Sequence, residues 1–370
     1  MTSAATLLLV LGCSEGYTTD HVFHQGGSAA PGQDTADQDG EDQEEEDDKG
    51  EEDPVDQEGE LFIDEGAPFR LEQRHTRPAE QATVWNGLAE AADGFYLSTM
   101  FGGELVLDRY ALDLARTGER TVIATSADLV ENGELADHAM IRTGSSLYFA
   151  ASTHSAEDLY LFQTDLDGNR LGYTVLQEAG DTRTNDPHLV SGEGTVCTRW
   201  GSSGGTKTVQ CLEDSSPFEV ETPLNTPQLG TTLYNDGEYW TFTGDEEQRN
   251  LVYTRYSTGW EPLDPFQTLI LGSDNEEWNW FPSGVARMEE DDLWVIAYTH
   301  MDAEGEADED ARGRLALFDG GFNLLQLHQV SLQATYRPHV LAVGKDIILA
   351  FDAGPVVLES WAVVPAGRDQ

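Results

Sequence analysis

The sequence predicts an all-β fold: a six-bladed β-propeller of four-stranded blades, preceded by a disordered acidic tether. Three observations predict it. From about residue 85 onward there is no long helical periodicity, and short runs rich in aromatic and β-branched residues are punctuated by Gly, Asp and Asn. Six segments of that region share one pattern, recurring at roughly 40–55 residues, the size of a propeller blade. The residues before it are of a different kind, acidic and almost free of apolar side chains.

The chain begins "MTSAATLLLVLGCS". Ala4–Gly12 is too short to span a bilayer as a helix but suits the apolar core of an export signal. The end of that run, "VLGC", resembles the lipobox of bacterial lipoproteins, although no Lys or Arg precedes the apolar run. The resemblance implies that residues 1–12 are a signal peptide and that Cys13 is acylated as the first residue of the mature chain. Ser14 resembles the residue of the class sorted to the outer membrane. The expected location is therefore the cell envelope, lipid-anchored at the outer membrane.

Residues 13–60 are expected to form a disordered linker. Between Pro31 and Glu60 about half the residues are Asp or Glu, so the segment repels itself and buries too little surface to offset its chain entropy. The whole chain carries a formal net charge of −49 from 69 acidic and 20 basic residues. That balance excludes nucleic acid, whose phosphates need clustered Lys and Arg.

Residues 61–370 are read as the propeller. Blades start near Asn86, His138, His188, Gln228, Ser283 and His339, and Pro187, Pro227, Pro282 and Pro338 stand directly before four of these positions. Each unit has an apolar strand, a tight turn ("ADG", "TGS", "GEG", "NDG", "EDD", "GKD") and a second strand rich in aromatic residues. Most units add a further hairpin. The last unit is one strand short, and residues 61–84 are expected to supply it and close the ring. The blade pattern is similar to TolB-like bacterial propellers. A pair of β-sandwiches is the competing architecture.

Cys197 and Cys211 flank a Gly/Ser turn in "TVCTRWGSSGGTKTVQC", so a cross-strand disulfide is expected, consistent with export. The same segment contains G-x-S-x-G, but in a strand–turn–strand setting unlike a nucleophile elbow. "DLDGN" at Asp165–Asn169 reads as a hairpin turn rather than a metal loop. The acidic loop Met301–Gly313 lacks the order of a calcium loop.

In a propeller the loop before a blade's inner strand and the loop after its second strand lie on one face. The alignment therefore places His138, His188, Gln228 and His339, together with His154 and His300, around one channel mouth. Trp280, with Trp278 and Phe281, is expected in the loop before the fifth blade, where it can stack on a flat ligand. These residues serve a binding site without chemistry, an enzyme, or blade packing alone, and the sequence leaves the three open. His138, His188, Gln228 and His339 look like the three-His-plus-Gln metal site of oligogalacturonate lyases, which implies a divalent metal. "NDPHLV" is similar to the Asp-Pro starts of arabinanase-like glycosidases, which would involve Asp186 and an acidic partner. The reading adopted is a monomeric, envelope-anchored binding or scaffold propeller. It has no assigned catalytic residue and no required cofactor, with an envelope protein or glycan as ligand. A metal-dependent lyase or glycosidase is the alternative.

Overall fold

The computed structural model describes residues 59–79, 86–101, 103–128, 135–153, 158–177, 184–202, 207–212, 218–220, 230–245, 250–270, 277–302, 311–330, 336–352 and 355–366. Cys13, the acidic linker up to residue 58, His154, Gln228 and the 303–310 loop lie outside the described residues. Among the described residues are six antiparallel sheets and no α-helix. Blade 1 comprises Asn86–Ala91, Gly94–Phe101, Glu104–Tyr110 and Thr121–Thr125, in that order from the inside. Blade 2 comprises Leu135–Thr143, Ser146–Thr153, Leu159–Asp165 and Arg170–Gln177. Blade 3 comprises Thr184–Gly192, Thr195–Ser202, Lys207–Cys211 and Phe218–Val220, and blade 4 Thr231–Asn235, Glu238–Asp245, Asn250–Tyr256 and Gln267–Ile270.

Blades 5 and 6 join the two ends of the propeller. Blade 5 is Glu277–Met288, Leu293–Asp302, Ala311–Asp319 and Leu324–Gln329. Gly59–Ile63 adds a fifth strand along its outer edge, which the four-strand repeat does not anticipate. Blade 6 is Tyr336–Val343, Asp346–Asp352 and Val356–Pro365, with Phe69–Pro78 paired outside as its fourth strand. The first and last strands of the propeller thus lie side by side, so separating the ring requires breaking a sheet ladder.

Hydrophobic packing follows the ring. One apolar cluster fills the interface of blades 1 and 2, and others fill 2 and 3, 3 and 4, 4 and 5, 5 and 6, and 6 and 1. Second strands are buried on both faces, which is why "GFYLSTMF" does not alternate apolar with polar residues and buries even Ser98 and Thr99. Fully buried Trp200 and Trp294 each contribute about 2–3 kcal/mol of transfer free energy. The turns between first and second strands are as tight as their sequences indicate. In "GEG" and "NDG" two successive residues, Glu193–Gly194 and Asp236–Gly237, have positive φ, as a two-residue hairpin with the right twist requires.

A second turn recurs in the further hairpin of most units; the sequence shows its blade 2 copy as the "DLDGN" hairpin turn, but not the shared conformation. In blades 1, 2, 4 and 5 the third strand passes to the outer strand through a five-residue turn. In blade 4 Ser257 N donates to Glu261 O and Trp260 N to Ser257 O, and the pattern recurs at Ala111–Ala115, Asp165–Asn169 and Asp319–Asn323. The fourth residue is left-handed each time: Leu114, Gly168, Trp260 and Phe322. Bulky residues avoid this conformation, but Leu114, Trp260 and Phe322 each insert into the cluster shared with the preceding blade. The turn acts as a latch between neighbours. In blade 2 it is the "DLDGN" turn, where Asp165 accepts hydrogen bonds from Asp167 N, Asn169 N and Asn169 Nδ2.

Cys197 and Cys211 face each other across the second and third strands of blade 3 and form a disulfide. The strands flanking "GSSGG" are antiparallel partners, so the nucleophile-elbow geometry does not arise.

Candidate functional site

Inner strands start earlier than the Pro positions suggest. In blades 2, 3, 5 and 6 the ladder shifts register between Leu135 and His138, Asn185 and His188, Trp280 and Gly284, and Tyr336 and His339. Each shift is a β-bulge, and Pro187, Pro282 and Pro338 sit inside it. A bulged residue has no ladder hydrogen bond to make, so the missing N–H of Pro costs nothing there. The expectation that Pro opens the strand is corrected: Pro marks the bulge, and the residue after the bulge is His138, His188, Gly284 or His339. By the same correction Trp278, Trp280 and Phe281 belong to the strand Glu277–Met288 and not to a loop.

Gly284 has a steric reason to be Gly. A Cβ there would lie 2.2 Å from Val340 N and 2.8 Å from His339 Cα, so its absence lets the His339 strand approach. Gly87 serves blade 2 in the same way, beside Met140.

The structure brings His138, His188 and His339 into one electrostatic neighbourhood. His138 is 5% exposed, and its Nε2 shares a 2.9 Å hydrogen bond with Ser98 Oγ of blade 1. Burial pushes its pKa down to about 4, so the ring is neutral near pH 7. His339 is pushed down to about 3, first by burial and then by the charges of His138 and Arg337. His188 lies well below the usual imidazole value, through burial and then through Arg199, His339, Arg337 and Lys207. His188 and His339 follow the inner-strand bulges at corresponding positions of blades 3 and 6. His300, fully buried in blade 5, is pushed down to about 2 by burial and by Arg314 and Arg312, the latter its cross-strand neighbour. It belongs to blade 5's own packing rather than to the group of three.

Two features of this neighbourhood were not foreseen. Arg337, in the blade 6 bulge with φ of 48°, forms an ion pair with Asp137 of blade 2 at 3.5 Å. Arg199, 1% exposed, is the cross-strand partner of His188 and donates to Thr232 and Thr241 of blade 4. Its guanidinium lies 5.2 Å from the Trp260 ring centroid, and burial pushes its pKa down to about 10. Lys207 of the same blade is 2% exposed. The sequence carried a signal for the first pair: Asp137 directly precedes His138, and Arg337 precedes the second Pro-His.

The implied metal does not fit the described residues. Among them no group of three or more His, Cys, Asp or Glu is arranged to hold an ion. His138 Nε2 is engaged by Ser98, and the cations Arg337, Arg199 and Lys207 around His188 oppose a divalent ion. Gln228 lies outside the described residues, as does the side chain of Asp186.

No protein-family model matches the sequence, and no curated protein matches it. Solved structures share the fold. A member of the DUF4221 family from Bacteroides vulgatus is 9% identical with a TM-score of 0.52, covering 81% of this chain and 99% of that one. Trypanosoma rangeli sialidase in complex with the inhibitor DANA is 11% identical with a TM-score of 0.51, covering 76% of this chain and 55% of the sialidase. The chain therefore spans about half of that enzyme. The protein is a six-bladed β-propeller, and at these identities the likeness is one of fold.

Proposed function

We propose that this chain is a binding protein of the cell envelope, lipid-anchored through Cys13 at the outer membrane and presented on its acidic linker. It acts as a monomer, and the ligand, an envelope protein or glycan, occupies the channel mouth. The observation that carries this reading is the recurrence of His138, His188 and His339 directly after the inner-strand bulges of three blades, two of which are tied by the Asp137–Arg337 pair. Neutral imidazoles supply both a donor and an acceptor, and the ion pair supplies charge of both signs, a set suited to polar recognition. His154, Gln228 and Trp280 are included in the proposed mouth by their positions in the repeat.

The test has two arms. Envelope fractionation of wild type and Cys13→Ala reads the anchor, and unchanged membrane partitioning of the variant would remove it. Thermal-shift titration against envelope glycans and peptides reads the mouth. A shift that disappears in His188→Ala and Arg337→Gln supports it, and a panel without any shift counts against it. The alternative, a glycosidase, draws support from the fold shared with the sialidase. Turnover of a glycoside panel that is lost in Asp186→Asn and Asp137→Asn variants would favour it.

A further inference from the structure

On the face away from the mouth, where third strands turn into outer strands, the latch of blade 5 leaves a recess against blade 4. Its volume is about 340 Å³, at the small end of ligand sites. Trp240, Tyr253 and Phe322 form its aromatic wall, Arg255, Asp264 and Gln267 its polar wall, and Gly320 and Gly321 its rim. The Tyr253 and Phe322 ring centroids are 4.5 Å apart, both side chains are partly exposed, and Gln267 is exposed at the start of the outer strand.

The charges select the ligand. Arg255 Nε donates to Asp264 Oδ2 at 2.6 Å and its Nη1 to Glu238 Oε2 at 3.2 Å. Two carboxylates on one guanidinium leave the locality net negative, which disfavours an anion. The guanidinium also lies 5.4 Å from the Trp240 ring centroid and already occupies the cation–π position, which disfavours a cation. What remains is a neutral ligand with one apolar face and several hydroxyls. The aromatic wall suits the C–H face of a sugar ring. The carboxylate, guanidinium and amide supply acceptors and donors for its hydroxyls.

We propose that the recess between blades 4 and 5 is a second binding site, for one or two rings of a neutral saccharide. It shares no residue with the channel mouth and goes beyond the reading given for it. The absence of side chains at Gly320 and Gly321 keeps the rim open, whereas Leu166 and Asp167 occupy the same turn positions in blade 2.

The test is saturation-transfer NMR on the full chain with glucose, galactose, N-acetylglucosamine, cellobiose and lactose at millimolar concentration. At least one sugar is expected to receive saturation. Gly321→Leu fills the rim, and its Cβ has ordinary room at 3.4 Å from Asn323 Nδ2 and Asp319 Oδ1. It and Asp264→Asn should each weaken binding at least about ten-fold, the loss expected for a blocked or unpaired hydrogen-bonding site, with melting temperature unchanged and His188→Ala without effect. No transfer to any of the five sugars overturns the proposal. So does transfer that survives both recess variants, or that is abolished only by His188→Ala.

Discussion

Arg337 of blade 6 places Nη1 3.5 Å from Oδ1 of Asp137 in blade 2, although blade 1 stands between those blades in the ring. Both side chains are largely buried. The pair therefore bridges the channel rather than one blade interface, and it ties together the two bulges that carry His138 and His339. Removing either partner leaves a poorly solvated charge. Asp137→Asn and Arg337→Gln should each cost about 2–3 kcal/mol, below the range for a fully buried pair. A double-mutant cycle by denaturant unfolding should recover coupling of at least about 1 kcal/mol. Strict additivity would show that the contact contributes nothing.

The histidines make stability depend on pH in a defined direction. His138, His188, His300 and His339 all have folded-state pKa values below the unfolded value of 6.5. In the window between the two values the unfolded chain binds more protons, so stability is full above about pH 6.5 and falls as pH is lowered. Each imidazole that stays neutral costs about 2 kcal/mol at pH 5 relative to neutral pH. Neutralising carboxylates in so acidic a chain relieves repulsion and acts in the opposite direction, so the informative quantity is a difference. His138→Asn and His339→Gln should each flatten the pH dependence between pH 5 and 6.5 by about one proton. Parallel curves for variant and wild type would contradict the burial argument.

The disulfide closes a 14-residue separation across blade 3. In the chain-entropy account such a loop is worth about 3 kcal/mol. Non-reducing mass spectrometry should find the bond, and Cys211→Ser should lower stability by about 2–3 kcal/mol. Cys197 is fully buried beside Tyr239, so Cys197→Ser should cost more by placing a hydroxyl in an apolar cluster. Equal stability of Cys211→Ser with and without reductant is expected. Equal stability of wild type with and without reductant is not.

What the sequence made legible was periodic. Blade number, the apolar–turn–aromatic unit and the Cys197–Cys211 register follow from patterns within single hairpins, where neighbours in sequence are neighbours in space. The bulges were missed because a register shift is a property of two paired strands, while Pro187 and Pro338 read in isolation look like strand starts. The same misreading put Trp280 in a loop. Asp137 and Arg337 each stand beside a repeat His in the sequence, but that they meet depends on ring closure, which no pattern within one blade reports. Gly59–Ile63 was missed as a strand because it abuts an acidic tract that dominates composition there.

The latches give a prediction for the fold itself. Leu114, Trp260 and Phe322 hold left-handed φ of 65°, 61° and 60°, a conformation Gly adopts without penalty. If backbone strain dominated, replacing each by Gly would stabilise the protein by about 1–2 kcal/mol. The packing argument gives the opposite sign. Leu114 is fully buried against blade 6, Trp260 stacks on Tyr239 at 4.2 Å, and Phe322 meets Trp294 at 5.0 Å. Truncating a buried aromatic costs about 3–5 kcal/mol, so Trp260→Gly should remain destabilising by about 2–3 kcal/mol after the strain is released, and Phe322→Gly, at a half-buried side chain, by less. Gly168 is the converse case. A Cβ there would lie 2.8 Å from Thr121 Cγ2 at a φ of 83°, so Gly168→Ala should destabilise through both terms. Unfolding midpoints for the four variants decide the matter: stabilisation by Trp260→Gly or Phe322→Gly would mean that these turns strain the ring rather than hold it.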